Sequence, residues 1–124
     1  MPVPILKQGD VLIASIQSHL GDRDLLQLRD DVAEKVGRFK SLGVIIDVSI
    51  LDVMDSFATR MLSTIADTTR LRGAETVIVG IQPEVAVAMV QLGLTLDGIP
   101  TALDLEEGLQ LLKASIQGGR QGGN

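Results

Sequence analysis

The chain has 124 residues, 45% of them hydrophobic, a formal net charge of −5 and no cysteine. This length and apolar content suit one domain with a core of its own, and the lack of Cys excludes disulfides, thiolate metal sites and cysteine catalysis. With no Trp or Tyr and only two Phe, little is available for stacking on bases or sugars, and the negative charge argues against nucleic acid and anionic membranes as main partners.

No apolar run approaches the roughly 18 residues needed to span a bilayer. The opening Met1-Pro2-Val3-Pro4-Ile5-Leu6-Lys7 lacks the basic-then-apolar layout of a signal peptide. The expectation is a cytoplasmic protein.

Val3 to Lys7 and Val11 to Gln17 read as short strands, and Gln8-Gly9-Asp10 between them carries turn chemistry, which predicts a hairpin. In the second run Val11, Ile13 and Ser15 oppose Leu12, Ala14 and Ile16; both sides are largely apolar, as on an inner strand. After the loop Ser18–Asp22, the residues Leu25, Leu28, Val32, Val36 and Phe39 keep a spacing of three or four and predict an amphipathic helix with a charged outer side. Gly43 to Val48 is the central strand, its β-branched Val44-Ile45-Ile46 suited to burial on both faces.

An acidic loop follows, and then a helix to about Arg72, whose apolar residues are Phe57, Ala58, Met61, Leu62 and Ile65; Gly73 stands as its stop. Glu75 to Gly80 is another core strand. Pro83 suits the first position of a third helix, with Val85, Val87, Ala88, Met89 and Leu92 as its apolar set. Thr101-Ala102-Leu103 predicts a short edge strand. Asp104 with Glu107 resembles a capping box ahead of a last helix with the stripe Leu105, Leu109, Leu112 and Ile116. The order β-β-α-β-α-β-α-β-α predicts an α/β fold: a mixed sheet of about five strands, an opening hairpin and then parallel strands, with four helices. The predicted domain covers residues 1–117, and the Gly-rich 118–124 reads as a flexible tail.

The chain does not read as an enzyme. Its single His, His19, falls in a polar loop, where a surface role is the simpler reading. There is no Gly-x-Ser-x-Gly elbow, no second His to complete a metal site and no Gly-rich phosphate loop, so neither a metal nor another cofactor is expected. Asp47 ends the central strand, where a receiver domain carries its phosphorylated Asp. That chemistry also needs an acidic cluster after the first strand and a Lys after the last one, whereas Lys7-Gln8-Gly9-Asp10 and Asp104 stand there. The structural alternative is that Asp47 accepts backbone N–H groups of its own loop.

The chemistry concentrates at Asp52-Val53-Met54-Asp55-Ser56-Phe57. Asp55 stands at an N-cap position and Ser56 at the first helical one. Spacing alone fits an ordinary cap. It also fits a phosphate acceptor, because the helix start favours negative charge and a phosphate would add roughly −1.5 to −2 charges beside Asp52 and Asp55.

The layout and the motif Ile46-Asp47…Met54-Asp55-Ser56-Phe57 resemble STAS domains, the fold of anti-sigma-factor antagonists, and among them the RsbS-type scaffold proteins of the stressosome. Further matching stretches are Pro4-Ile5-Leu6-Lys7, Ser15-Ile16-Gln17, Gly80-Ile81-Gln82-Pro83, Val85-Ala86-Val87 and Thr101 to Leu109, so the likeness extends from about residue 4 to residue 112. The resemblance implies a non-catalytic scaffold that co-assembles with RsbR-type paralogues and sequesters an RsbT-type serine/threonine kinase. It implies phosphorylation on Ser56, with Thr59 a weaker second candidate, release of the kinase, and resetting by a PP2C-type phosphatase. The implied kinase-facing surface includes Asp52, Asp55 and Phe57. Ala58-Thr59-Arg60 departs from the family pattern, where a β-branched residue and a Lys are expected. A simple antagonist that binds its kinase one to one is the alternative.

Overall fold

The computed structural model describes the backbone of residues 3–122 and the side chains through residue 118. The elements follow the predicted order: β1 (Ile5–Gln8), β2 (Val11–Ser15), α1 (Asp22–Phe39), β3 (Gly43–Asp47), α2 (Ser56–Leu71), β4 (Glu75–Val79), α3 (Pro83–Gln91), β5 (Thr101–Ala102) and α4 (Leu105–Gly122). The sheet runs β1-β2-β3-β4-β5. Its first pair is antiparallel, with Gln8 opposite Val11, and the other three pairs are parallel. The register sets Ser15, Asp47, Val79 and Ala102 side by side across the carboxyl ends of the parallel strands.

Two apolar layers sandwich the sheet. Leu12, Ala14, Val44, Ile46 and Ile78 pack with Leu28, Val32 and Val36 of α1, with Leu62, Ile65 and Ala66 of α2, and with Val85 and Met89 of α3. The opposite face, Ile13, Ile45, Val77 and Val79, is covered by α4 through Leu112, with Leu109 and Ile116 packed beside it. The run Val44-Ile45-Ile46 therefore buries side chains on both faces, as its composition predicts. The α4 layer fits closely. A Cβ added at Gly108 would lie 2.6 Å from Val79 Cγ1, so the absent side chain lets helix and sheet touch.

Several boundaries and faces differ from the sequence reading. β1 starts at Ile5 rather than Val3, and β2 stops at Ser15 rather than Gln17. Phe39 is not the last residue of the buried stripe. It lies where α1 ends, 37% exposed, with Lys7, Lys35 and Arg38 around its ring. In α3 only Val85 and Met89 are buried, while Val87, Ala88 and Leu92 face outward; a helix of nine residues on one corner of a sheet has contact for a single i, i+4 pair. Leu103 falls after β5 and is exposed. Asp104 Oδ1 accepts the Glu107 N–H at 2.9 Å, but the Glu107 carboxylate turns back to the Leu103 N–H at 3.4 Å, one residue before the cap. Finally, α4 runs to Gly122, so the backbone of 118–122 is helical where glycines predict a tail. Once a helix is nucleated and anchored, each added residue gains a hydrogen bond. Residues 123 and 124 of that expected tail lie outside the described residues. Among the described residues no helix is long and apolar enough to cross a membrane.

Candidate functional site

The site lies at the carboxyl end of β3, where the chain leaves a strand buried up to Asp47 and must turn into α2. Three apolar residues spaced by three, Val48, Leu51 and Met54, point inward and anchor the loop. The turn is closed by the Leu51 N–H donating to the Val48 carbonyl at 2.9 Å. Its base is held by two neighbouring strands: the Val48 N–H donates to Val79 O at 3.0 Å, and the Ile16 N–H to Asp47 O at 3.1 Å. The residues between these anchors necessarily face outward. Ile50 is 53% and Val53 60% exposed, beside the exposed carboxylates of Asp52 and Asp55.

Asp47 accepts the Ser49 N–H on Oδ1 at 2.9 Å. The carboxylate that a receiver-type mechanism would phosphorylate is thus engaged in bracing its own loop, as the structural reading of the sequence expected. Among the described residues no group of three His, Asp or Glu side chains is placed to hold a metal ion.

Asp55 occupies the N-cap of α2 in extended conformation, and its Oδ1 accepts the Ala58 N–H at 2.8 Å. This satisfies one of the free donors at the helix start. Ser56 follows as the first helical residue and is exposed. The same turn separates it from Thr59. Thr59 is only 4% exposed, and its hydroxyl donates to Asp55 O at 2.9 Å. The two hydroxyls of the sequence reading therefore do not share an accessible face: one projects into solvent, the other is committed inside the fold. Phe57 is half-buried and Arg60 exposed.

Beside this loop runs a small cleft of about 90 Å³, walled by His19 and Leu20 of the β2–α1 connection, by Asp22 and Leu25 of α1, and by Leu51, Val53, Asp55 and Ala58. Its floor is mostly apolar and its rim carries two acids. His19 lies on this rim, next to the candidate acceptor loop and far from it in sequence.

Some residues of the site had no signal in the sequence. Ile50 and Val53 sit in a run where about two residues in every three are apolar, so periodicity does not tell the inward set from the outward one. Ser49, Gly80 and Gln82 join the site across 31 to 33 positions of chain. Gln82 Nε2 donates to the Ser49 carbonyl at 2.8 Å, and Gly80, at φ +82°, leaves no room for a side chain against Ser49. In the sequence Gly80 and Pro83 mark only the end of a strand and the start of a helix, and nothing there points to a contact with Ser49.

Comparison with known proteins gives this geometry a context. The STAS domain family model matches residues 3–108. The co-antagonist protein RsbRD of Bacillus subtilis (strain 168), described as an RsbT co-antagonist, is 31% identical over 98 residues, covering 79% of this chain and 34% of that protein. The chain spans about a third of the length of the curated relatives it matches. A serine-to-glutamate variant of RsbS from Moorella thermoacetica superposes with a TM-score of 0.80 at 36% identity, covering 93% of this chain and 97% of that one. A chain of the stressosome, described as a signal integration and transduction hub, superposes at 0.77 with 37% identity, covering 91% and 98%. The unphosphorylated anti-sigma-factor antagonist SpoIIAA shares the fold, at 0.73 and 13% identity, covering 90% and 96%. A strand that ends in a self-bracing aspartate, an anchored acidic loop and an exposed serine on a capped helix are, in this chain, the work of a member of the STAS domain family.

Proposed function

We propose that this domain is a non-catalytic scaffold and binding module of a cytoplasmic stress-signalling assembly, and that Ser56 is its switch. The observation that carries the proposal is the contrast within one helical turn: Ser56 offers its hydroxyl to solvent, while Thr59 is buried and hydrogen-bonded. The likeness to RsbS and to a stressosome chain supports RsbR-type paralogues as co-assembling partners. The description of RsbRD as an RsbT co-antagonist supports an RsbT-type kinase as the protein held and then released, with a PP2C-type phosphatase resetting the site.

In this reading Ile50, Val53 and Phe57 provide apolar contact for the kinase, and Asp52 and Asp55 polar contact at its margin. In the transfer, Ser56 Oγ attacks the γ-phosphorus of ATP, the bond to the bridging oxygen breaks, ADP leaves, and the hydroxyl proton passes to the kinase. The product adds roughly −1.5 to −2 charges next to two carboxylates. At the helix start this charge is tolerated by the fold, since free N–H groups and the dipole favour it there. At an interface the same charge must be desolvated, which disfavours the complex. Taking a partner from 99% bound to 99% released requires about 5.5 kcal/mol; one phosphate supplies part of that, and the many copies of an assembly amplify the rest.

The test is to incubate the purified protein with ATP and an RsbT-type kinase and to map the product by mass spectrometry. One phosphate on Ser56, absent from Ser56→Ala, is expected. Modification elsewhere, or none with a kinase shown to be active on another substrate, would remove the proposal. The one-to-one antagonist reading has the shared SpoIIAA fold in its favour. Light scattering with an RsbR-type partner separates the two: a large particle supports the scaffold, a small complex the antagonist.

A further inference from the structure

We propose that Gln82 is a positioning residue for the phosphoacceptor: it tethers the β3–α2 loop to the start of α3 and thereby sets how well Ser56 is presented to the enzyme that modifies it. The inference rests on the reading of Ser56 as the acceptor. Two independent features point to it.

The first is what Gln82 does not do. It occupies the N-cap of α3, yet its side chain makes no cap hydrogen bond to its own helix. N-cap positions favour short Ser, Thr, Asp and Asn, whose oxygens reach the N–H groups of the next turn. A glutamine there is longer, and its amide crosses to the next loop instead, where Nε2 donates to Ser49 O at 2.8 Å. The second feature is steric. At Gly80 a Cβ would lie 2.8 Å from Ser49 Cβ and 3.3 Å from Asp47 Oδ1. The chain that leaves β4 therefore approaches the loop more closely than any side chain would permit, and this closeness brings Gln82 within reach.

Ser49 is the point where the two constraints meet. Its N–H is held from within by Asp47, and its C=O from outside by Gln82. With the peptide units on both sides of Ser49 fixed, the residues after it, Ile50 to Asp55, start from a set direction. Without Gln82 the loop retains its buried anchors Leu51 and Met54 but loses its lateral restraint. Preorganisation of this kind acts on binding more than on the chemical step, because the ordering cost is met before the partner arrives.

The experiment compares wild type with Gln82→Ala and Gln82→Glu; the glutamate matches glutamine in shape but as a carboxylate has no N–H to donate. Hydrogen exchange is measured on the protein alone, and phosphorylation kinetics with an RsbT-type kinase. In both variants the amides of Ser49 and Leu51 should exchange roughly three- to tenfold faster, as loss of one hydrogen bond allows, while those of Val44 to Ile46 in β3 stay unchanged. KM for the protein substrate should rise by a similar factor with kcat retained. Unchanged loop exchange in Gln82→Ala overturns the tether. Wild-type behaviour in Gln82→Glu overturns the hydrogen bond as its cause. Faster exchange with an unaltered KM overturns its role in presenting Ser56. If wild type accepts no phosphate on Ser56, the proposed function has failed and the role in presentation falls with it, whereas the exchange data, obtained without kinase, still judge the tether.

Discussion

Asp55 has two separable roles, and a pair of substitutions divides them. Its carboxylate caps α2 through the 2.8 Å bond from the Ala58 N–H, and it also supplies charge beside Ser56. Asp55→Ala removes both. Loss of an N-cap side chain costs about 0.5–2 kcal/mol, typically ~1. At about 2.1 cal/mol/K of unfolding entropy per residue, a 124-residue chain converts ~1 kcal/mol into a fall of roughly 4 °C in Tm. Asp55→Asn keeps a carbonyl oxygen on the same atoms and ranks with Asp as a cap, so it loses only the interaction of the charge with the helix dipole, about 0.3–1 kcal/mol at low salt.

The expected order is therefore wild type, then Asn, then Ala, with the Asn variant approaching wild type as salt screens the dipole term. Thermal melts at low and high salt, supported by denaturant titrations, measure it. An alanine variant within about 0.3 kcal/mol of wild type, or an asparagine variant as unstable as the alanine one, would refute the cap as the structural role. The same pair bears on the switch. If crowding of negative charge drives release, phosphorylated Asp55→Asn should hold the kinase more tightly than phosphorylated wild type.

Other expectations follow from single positions. Gly80→Ala places a Cβ 2.8 Å from Ser49 Cβ at φ +82° and should cost about 1–3 kcal/mol, read by denaturant midpoint. Thr59→Val keeps the buried shape but loses the hydroxyl that donates to Asp55 O; it should destabilise by about 1 kcal/mol and leave the phosphate stoichiometry on Ser56 at the wild-type level. Two phosphates on wild type and one on Thr59→Val would contradict the burial argument. Leu112→Ala removes an α4 side chain that is fully buried against Ile13, Ile45 and Val77; about 2–5 kcal/mol, together with increased binding of an apolar dye, is expected from equilibrium unfolding.

Much of this architecture is written in local chemistry. The β-branched run Val44-Ile45-Ile46 suits a strand covered on both sides, and it is one. Leu25, Leu28, Val32 and Val36 set the inner face of α1 by spacing alone, and Asp55 and Ser56 were legible as cap and first helical residue. These features depend on residues within one or two turns of each other, where propensity and periodicity hold. Where a segment borders two environments, the same rules fail. Phe39, Val87 and Leu92 have the right spacing for a core but are exposed, because burial needs a facing apolar element, which spacing along the chain does not supply. The glycines of 118–122 suggest a loose end, yet a helix anchored by Leu112 propagates through them.

The candidate site divides in the same way. Local sequence determined that a capped helix starts at Ser56, and that acids precede it. Only the tertiary structure decided which hydroxyl is reachable, since Thr59 is buried by what α2 packs against. It alone turned Ile50 and Val53 outward through the inward pull of Val48, Leu51 and Met54. It alone brought Gln82 to Ser49, because that contact requires β3 and β4 to be parallel neighbours in a fixed register, a pairing of distant segments that spacing along the chain cannot encode.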